Sequence, residues 1–373
     1  MAGRIRSNAV ITVVADSDCP GAPKPLLTNT DILSLNPRQL IRELTAFRDT
    51  RLGRSGWELA ATLIPFLLLC GFLLVAVQAE YYIALILTPL AGLFQLRLFI
   101  IQHDCGHGSF LPRRSSNDWL GRALGVLTFT PYDCWRRSHA LHHSTAGNLD
   151  ARGFGDVDTL TVREFNERTP WQKLYYRLYR HPLVLLGIGP AYLFLFRHRL
   201  PIGLMKEGSI YWVSAMATNA VTALVLIVLA NLFGFLAAAL VFVPVVLTAA
   251  SIGVWLFYIQ HQFENAHWDQ GENWSFHDSA LQGSSHLDLP LVLRWFTANI
   301  GVHHVHHLAS RIPFYRLPEV LIAYPRLHNM NRFTVRQTLK TLDMALWDED
   351  QRKLVTFRDC LCQAQSKASD QTN

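Results

Sequence analysis

Residues 57–101, WELAATLIPFLLLCGFLLVAVQAEYYIALILTPLAGLFQLRLFII, contain two apolar stretches separated by only three residues. The stretches are 57–77 and 81–101, and each has about the 20 residues that a helix needs to cross a membrane. A second pair, 210–232 and 235–259, is separated by two residues. Such short connections return the chain to the side on which each pair began. The sequence therefore predicts an all-α integral membrane protein with four transmembrane helices in two hairpins.

The composition fits a membrane protein with large polar segments outside the spans. Half of the 373 residues are hydrophobic and 17% are charged, against about 25% charged in an average soluble domain. Of the 34 Lys and Arg residues, 33 lie in 1–56, 102–209 and 261–373. Because basic residues accumulate on the cytoplasmic side, these segments and both termini are predicted to be cytoplasmic. A nucleic-acid partner is not expected, although the net charge is +6.

The chain divides into three predicted regions. Residues 1–36 contain three prolines and no helical periodicity, which predicts a mobile leader. Residues 37–345 form the predicted membrane domain, whose cytoplasmic parts fold into a helical cap that carries the metal site. Residues 346–373 are predicted to be a polar tail, frayed from Gln363 onward. The apolar segment 183–196 is too short to span and is expected to lie in the membrane interface.

Histidine is the unusual residue type, since nine of the 16 histidines fall within the segments 103–107, 139–143 and 303–307. Residues three or four apart share a helix face, so each segment can point two or more imidazoles at one metal. Both hairpins return the chain to one side, so the three segments can meet. So many imidazoles suit two transition metals, and His142 and His143, about 100° apart on a helix, can reach different ones.

Further candidates lie beside these segments. His261, where the fourth span ends, is expected to be an additional ligand, and His267 is a weaker candidate. His304 is expected to turn away from the metals. Carboxylates near metal-binding histidines usually orient the imidazoles through the second ring nitrogen. The candidates for that role are Asp104, Asp156, Asp158 and Glu264.

The three segments resemble the histidine boxes of the membrane fatty acid desaturase superfamily. They are HDCGH at 103–107, HALHH at 139–143 and HHVHH at 303–307. The phrases QHDCGHGSF at 102–110 and IPFYRLP at 312–318 resemble the acyl-lipid branch, close to bacterial omega-6 or delta-12 desaturases. The resemblance implies a bacterial inner-membrane enzyme that inserts a cis double bond into a lipid-linked acyl chain.

The resemblance also implies a non-haem di-iron centre that uses O₂ as co-substrate. The ligands it implies are His103, His107, His139, His142, His143, His303, His306 and His307, with His261 as a ninth. The third box begins with His303 rather than with the Gln usual in front-end desaturases, and no fused cytochrome b5 motif is present. Electrons are therefore expected from a separate carrier such as a ferredoxin. The aromatic residues suggested for the acyl tunnel are Phe129, Tyr132, Trp135 and Phe154.

Other functions remain open at this point. A di-iron hydroxylase, ketolase or acetylenase could use the same scaffold, because the boxes do not distinguish hydroxyl transfer from a second hydrogen abstraction. A metal transporter is a distant alternative. Transporter ligands should lie near the middle of the membrane on broken helices, whereas these histidines cluster at or beyond the ends of the spans. A zinc hydrolase is not supported by any His-Glu-x-x-His motif.

Overall fold

The computed structural model describes residues 36–153 and 155–362. The leader predicted for residues 1–36 lies outside the described part of the chain except for Asn36. That residue caps the first helix, because its side chain accepts a hydrogen bond from the Gln39 amide at 3.0 Å. The frayed end predicted from Gln363 and the candidate tunnel residue Phe154 also lie outside the described residues.

Helices account for most of the described structure. In chain order the α-helices are α1 (Pro37–Leu44), α2 (Leu52–Gln78), α3 (Thr88–His107), α4 (Arg114–Leu127), α5 (Tyr132–Thr145), α6 (Val162–Glu167), α7 (Pro170–Tyr179), α8 (Gly189–Leu195), α9 (Ser209–Phe233), α10 (Phe235–His261), α11 (Phe276–Gln282), α12 (Leu291–Phe296), α13 (His303–Leu308), α14 (Leu317–Ala323), α15 (Pro325–Asn329) and α16 (Val335–Thr341). The strands are β1 (Leu160–Thr161), β2 (His286–Asp288), β3 (Arg332–Thr334), β4 (Met344–Asp348) and β5 (Lys353–Thr356).

Four helical segments within the described residues are long and apolar enough to cross a membrane, as predicted. They are Leu52–Gln78, Tyr82–His107, Ser209–Phe233 and Phe235–His261. A fifth segment is broken: Pro170–Tyr179 and Val184–Arg199 together pass the same test but meet at a bend of 58°. This bent pair contains the apolar segment expected to lie in the interface.

Helices α3 and α10 form the centre of the helical assembly, with α2 packed on α3 and α9 packed on α10. A Cβ atom added at Gly92 of α3 would lie 2.6 Å from Cβ of Thr248 on α10, so glycine permits this close approach. The turn between α9 and α10 contains Gly234 at φ 91°, a backbone conformation that favours glycine. The position of this turn, between residues 232 and 235, agrees with the predicted boundary.

A buried ion pair joins the first two spans to the region before the third histidine segment. Arg97 of α3 is 1% exposed and donates to the carboxylate of Glu58 on α2 and to the carbonyl of Trp295. Its guanidinium carbon lies 4.0 Å from the centre of the Trp295 ring, within the range of a cation–π contact. The one Lys or Arg residue inside the predicted spans thus faces a polar interior.

The described chain also contains two small sheets, which the all-α prediction did not include. Strand β4 pairs with β5 in antiparallel fashion and with β1 in parallel, while β2 pairs with β3. Leu346, Trp347 and Val355 are buried in these strands. The tail boundary predicted after residue 345 therefore crosses β4, because apolar side chains of both strands pack against the body of the protein.

Substitution of Glu58 by Gln should destabilise the protein strongly, because it leaves the Arg97 cation buried without a carboxylate. Breaking a buried pair from one side costs about 3–5 kcal/mol. Glu207→Gln is a matched control, because Glu207 pairs with Arg137 at 3.1 Å where both side chains are about 40% exposed, and exposed pairs contribute about 0.2–1 kcal/mol. Thermal unfolding in detergent compares the two variants, and equal changes would contradict the role assigned to the buried pair.

Candidate metal centre

Four helices bring the predicted histidines together. His103 and His107 lie one turn apart at the end of α3, His139 to His143 lie on α5, and the third segment lies on the short helix α13. His261 is the last residue of α10. The ends of α3 and α10, which pack side by side, thus deliver three of the nine imidazoles to the same level of the molecule.

The nine histidines form two groups, within each of which the candidate ligand atoms all lie within 4.8 Å of one another. The first group is His103, His107, His139, His143 and His306, and the second is His142, His261, His303 and His307. The neighbours His142 and His143 belong to different groups, as their angular separation on α5 predicted. Helix α13 also contributes to both groups, through His306 and through His303 and His307.

Within each group the Nε2 atoms face one another at short range. In the first group, Nε2 of His143 lies 3.0 Å from Nε2 of His139 and 3.2 Å from that of His306. In the second, Nε2 of His261 lies 3.0 Å from Nε2 of His303. Nδ1 of His261 donates to the carbonyl of Gly283 at 3.1 Å, so its Nε2 carries a lone pair.

Burial keeps these imidazoles in the form that binds metals. Desolvation, followed by the proximity of other histidines, lowers the pKa of His139, His143 and His306 well below the usual value. A neutral imidazole with an inward lone pair is a ligand for iron, zinc, copper or nickel. The donor set therefore fits two transition-metal ions, one in each group.

Two of the four candidate carboxylates contact the histidines. Asp156 accepts from Nδ1 of His142. Asp104 lies 3.2 Å from Nδ1 of His103 and also accepts the Phe314 amide at 2.8 Å. Both contacts leave Nε2 of the imidazole free to face its group, as expected for carboxylates that orient metal ligands.

The other two candidate carboxylates are exposed and serve elsewhere. Glu264 lies 3.4 Å from Nζ of Lys353. The backbone of Asp158 bonds to Tyr179 and Arg180. The two residues lie close together in the irregular segment between α5 and β1, where no helix or strand period fixes side-chain direction, so the sequence could not tell which of Asp156 and Asp158 faces the histidines.

His304 and His267 lie outside both groups. His304, expected to turn away, places its Nε2 2.8 Å from the carbonyl of Leu327. Its ring lies 5.8 Å from that of His286 rather than among the metal-ligand candidates.

An apolar cavity of about 300 Å³ ends at the two groups, where His103, His139, His142 and His303 line it. Its wall on α10 runs from Val246 to Gln260, which corresponds to about 20 Å of helix. Other lining residues are Leu96, Phe99, Trp135, Ala250, Gly253 and Phe257. The dimensions and the apolar wall suit a hydrocarbon chain that reaches the histidines with one part of its length.

The aromatic residues suggested for the acyl tunnel do not all line the cavity. Trp135 lines the cavity and stacks on His139, with ring centres 4.6 Å apart. Tyr132 is fully buried and donates to the carbonyl of Cys105, at 2.9 Å, so it braces the helices. Phe129 is not among the cavity-lining residues in the described part of the chain.

Comparisons with known proteins agree on the family of this chain. The model of the family described as fatty acid desaturase matches residues 80–333. A protein named "Fatty acid desaturase" from Bacillus subtilis (strain 168) is 40% identical over 323 residues, which cover 86% of this chain and 91% of that protein. Two proteins of Synechocystis sp. are more distant.

The first of these, "sn-1 acyl-lipid omega-3 desaturase (ferredoxin)", is 27% identical over 67% of this chain and 70% of its own length. The second, "sn-1 oleoyl-lipid 12-desaturase", is 26% identical over 59% of this chain and 62% of its own length.

Substitution of Asp156 by Asn should weaken metal binding by about 10–100-fold, the usual effect of losing a carboxylate that orients a ligand. Asp158→Asn, two residues away and exposed, is the matched control and should bind metal as the wild type does. Each purified protein is dialysed against increasing concentrations of chelator. The metal that it retains is then measured by mass spectrometry and compared between the two variants and the wild type. Equal losses in both variants would remove Asp156 from the centre.

Proposed function

The chain belongs to the fatty acid desaturase family of oxidoreductases, and on this premise we propose that it inserts a cis double bond into the acyl chain of a membrane lipid. The observation that carries the proposal is the position of the two histidine groups at the end of an apolar cavity. A hydrocarbon chain in that cavity would lie beside His103 and His142, which belong to different groups.

Two iron ions fit the nine imidazoles, with His103, His107, His139, His143 and His306 holding one and His142, His261, His303 and His307 the other. Bound there, the pair would supply the O₂-dependent redox chemistry that removes hydrogen from an unactivated C–H bond, which no side chain can do alone. The chain itself supplies nine imidazoles and the carboxylates Asp104 and Asp156 behind two of them.

The remaining tasks fall to the cavity wall. Leu96, Phe99 and Phe257 enclose the chain in apolar surface, which excludes water from the reacting carbons. Trp135, stacked on His139, sets the distance at which an acyl chain can pass the first group. A fixed path past the histidines selects one pair of carbons, because reaction depends on holding the substrate in register.

The proposed position of the double bond is of the delta-12 or omega-6 type. The phrases at 102–110 and 312–318 support this, as does the distant relative named for 12-desaturation. The relative named as ferredoxin-dependent supports a separate ferredoxin-like carrier as electron donor. A lipid-linked acyl chain is the proposed substrate, since the names of both Synechocystis relatives specify an acyl or oleoyl lipid.

For the membrane we propose two hairpins, α2 with α3 and α9 with α10, in a bacterial inner membrane. Three residues separate the predicted spans of the first pair and Gly234 separates the second pair, which supports a return to the starting side. The cap that holds the histidine segments and both termini would then face the cytoplasm, in agreement with the positions of Lys and Arg.

Expression in a bacterium that makes monounsaturated lipids should yield a new diene, detected as fatty acid methyl esters by gas chromatography–mass spectrometry. His142→Ala should abolish the diene because the second group loses a ligand, while His328→Ala, outside both groups, should keep it. A hydroxylated or keto product would assign the chain to the alternative chemistry on this scaffold. A diene from the His142→Ala variant at wild-type yield would contradict the role of the centre.

Substitution of Gly253 by Leu should block the cavity. A Cβ atom at Gly253 lies 3.5 Å from Leu96, an ordinary contact, and the rest of the side chain would occupy the space proposed for the acyl chain. We expect diene formation to fall about a hundredfold while two metals per chain remain bound. Gly71→Leu, on α2 where a Cβ meets nothing within 4 Å, is the control, and equal activity of the two variants would argue against this path.

A further inference from the structure

A second opening leads to the histidines from another side. A cleft of about 390 Å³ is lined by Arg48, Trp274, Arg311, His143, His307, the first residue of α11, and small or apolar residues of α5, of α13 and of the segment after α13. Neither of these two histidines lines the apolar cavity described above, which is lined instead by His103, His139, His142 and His303. The candidate centre is therefore accessible from two sides, each through different imidazoles.

The floor of the cleft joins the two groups. His143 belongs to the first group and His307 to the second. Their rings are stacked, with centres 4.1 Å apart and planes inclined by 13°. Whatever occupies the cleft therefore contacts a ligand candidate of each group at once.

The side of the cleft carries unneutralised positive charge. Arg48 and Arg311 are close enough that Arg311, after burial, lowers the pKa of Arg48. Nε of Arg48 is buried and has no hydrogen-bond partner among the described residues. None of the described residues that line the cleft is acidic.

The rest of the lining resembles the centre of a protein–protein interface. Phe276 is 39% exposed, and the half-buried Trp274 lies beside it. Aromatic residues and arginine are enriched where proteins bind each other. Two arginines with unmet charge next to exposed aromatic rings favour an acidic protein surface as the occupant. A neutral gas or water passing through the cleft would make no use of the arginines.

We propose that this cleft is the docking site of a small acidic one-electron carrier protein. This inference rests on the proposed function, which needs such a carrier. In the balanced reaction, O₂ accepts four electrons: two come with two hydrogens from the acyl chain and one comes from each of two reduced carriers. Two protons from solvent complete two molecules of water. Docking in the cleft places the carrier against the stacked pair His143 and His307.

The test is a binding measurement with a plant-type [2Fe–2S] ferredoxin of net negative charge as the probe. Wild-type protein in lipid nanodiscs is titrated with oxidised ferredoxin at several salt concentrations, and Kd is compared with that of Arg48→Glu and Arg311→Glu. The control is Arg336→Glu, which makes the same change of charge at an exposed position on α16. Bound metal and thermal unfolding are measured for every variant, and Arg311→Glu, at an exposed position, serves if Arg48→Glu fails to fold.

Each cleft variant should raise Kd about tenfold and reduce its dependence on salt, while the control leaves both unchanged. Unchanged Kd in the cleft variants, or an equal rise in the control, would overturn the docking site even if the wild type forms a diene. The wild type could also bind ferredoxin through the cleft and yet form no diene when the ferredoxin is reduced. That result would support the docking site and count against the proposed function alone.

Discussion

The close approach of the inward ring nitrogens of nine imidazoles is the constraint on which the structure depends. Nε2 atoms 3.0 Å apart, such as those of His261 and His303, are unfavourable neighbours when both carry lone pairs. The fold holds them there because each ring is anchored from behind or by its helix. Gly283 and Asp156 hold the far nitrogens of His261 and His142, and the Arg97 pair fixes the segment that leads to α13.

Much of this arrangement could be predicted because it depends on local periodicity. Apolar length alone located the four spans, and the spacing within 139–143 predicted that His142 and His143 can reach different metals; the structure places them in different groups. Long-range pairing was less accessible. Strands β4 and β1 lie about 185 residues apart in sequence and are only a few residues long, and no local pattern in such short segments indicates which strands pair.

The face of α10 that lines the apolar cavity could not be predicted from the sequence. Helix α10 is apolar on every side, so its sequence has no period that distinguishes the face toward lipid from the face toward a cavity. That face is set by packing on α3, where Gly92 meets Thr248. Asp156 and Asp158 could not be distinguished for a similar reason: they lie in an irregular segment between α5 and β1, where no regular period indicates which side chain faces the histidines.

Helices α5 and α13 each donate to both histidine groups, and this has a consequence for how the protein fills with metal. An ion bound in one group would immobilise both helices and thereby position the ligands of the other group. Binding of the second ion would then cost less conformational entropy than binding of the first. We therefore expect positive cooperativity in loading. When the metal is scarce, we expect the population to divide into empty and fully loaded molecules, and singly loaded molecules to stay rare.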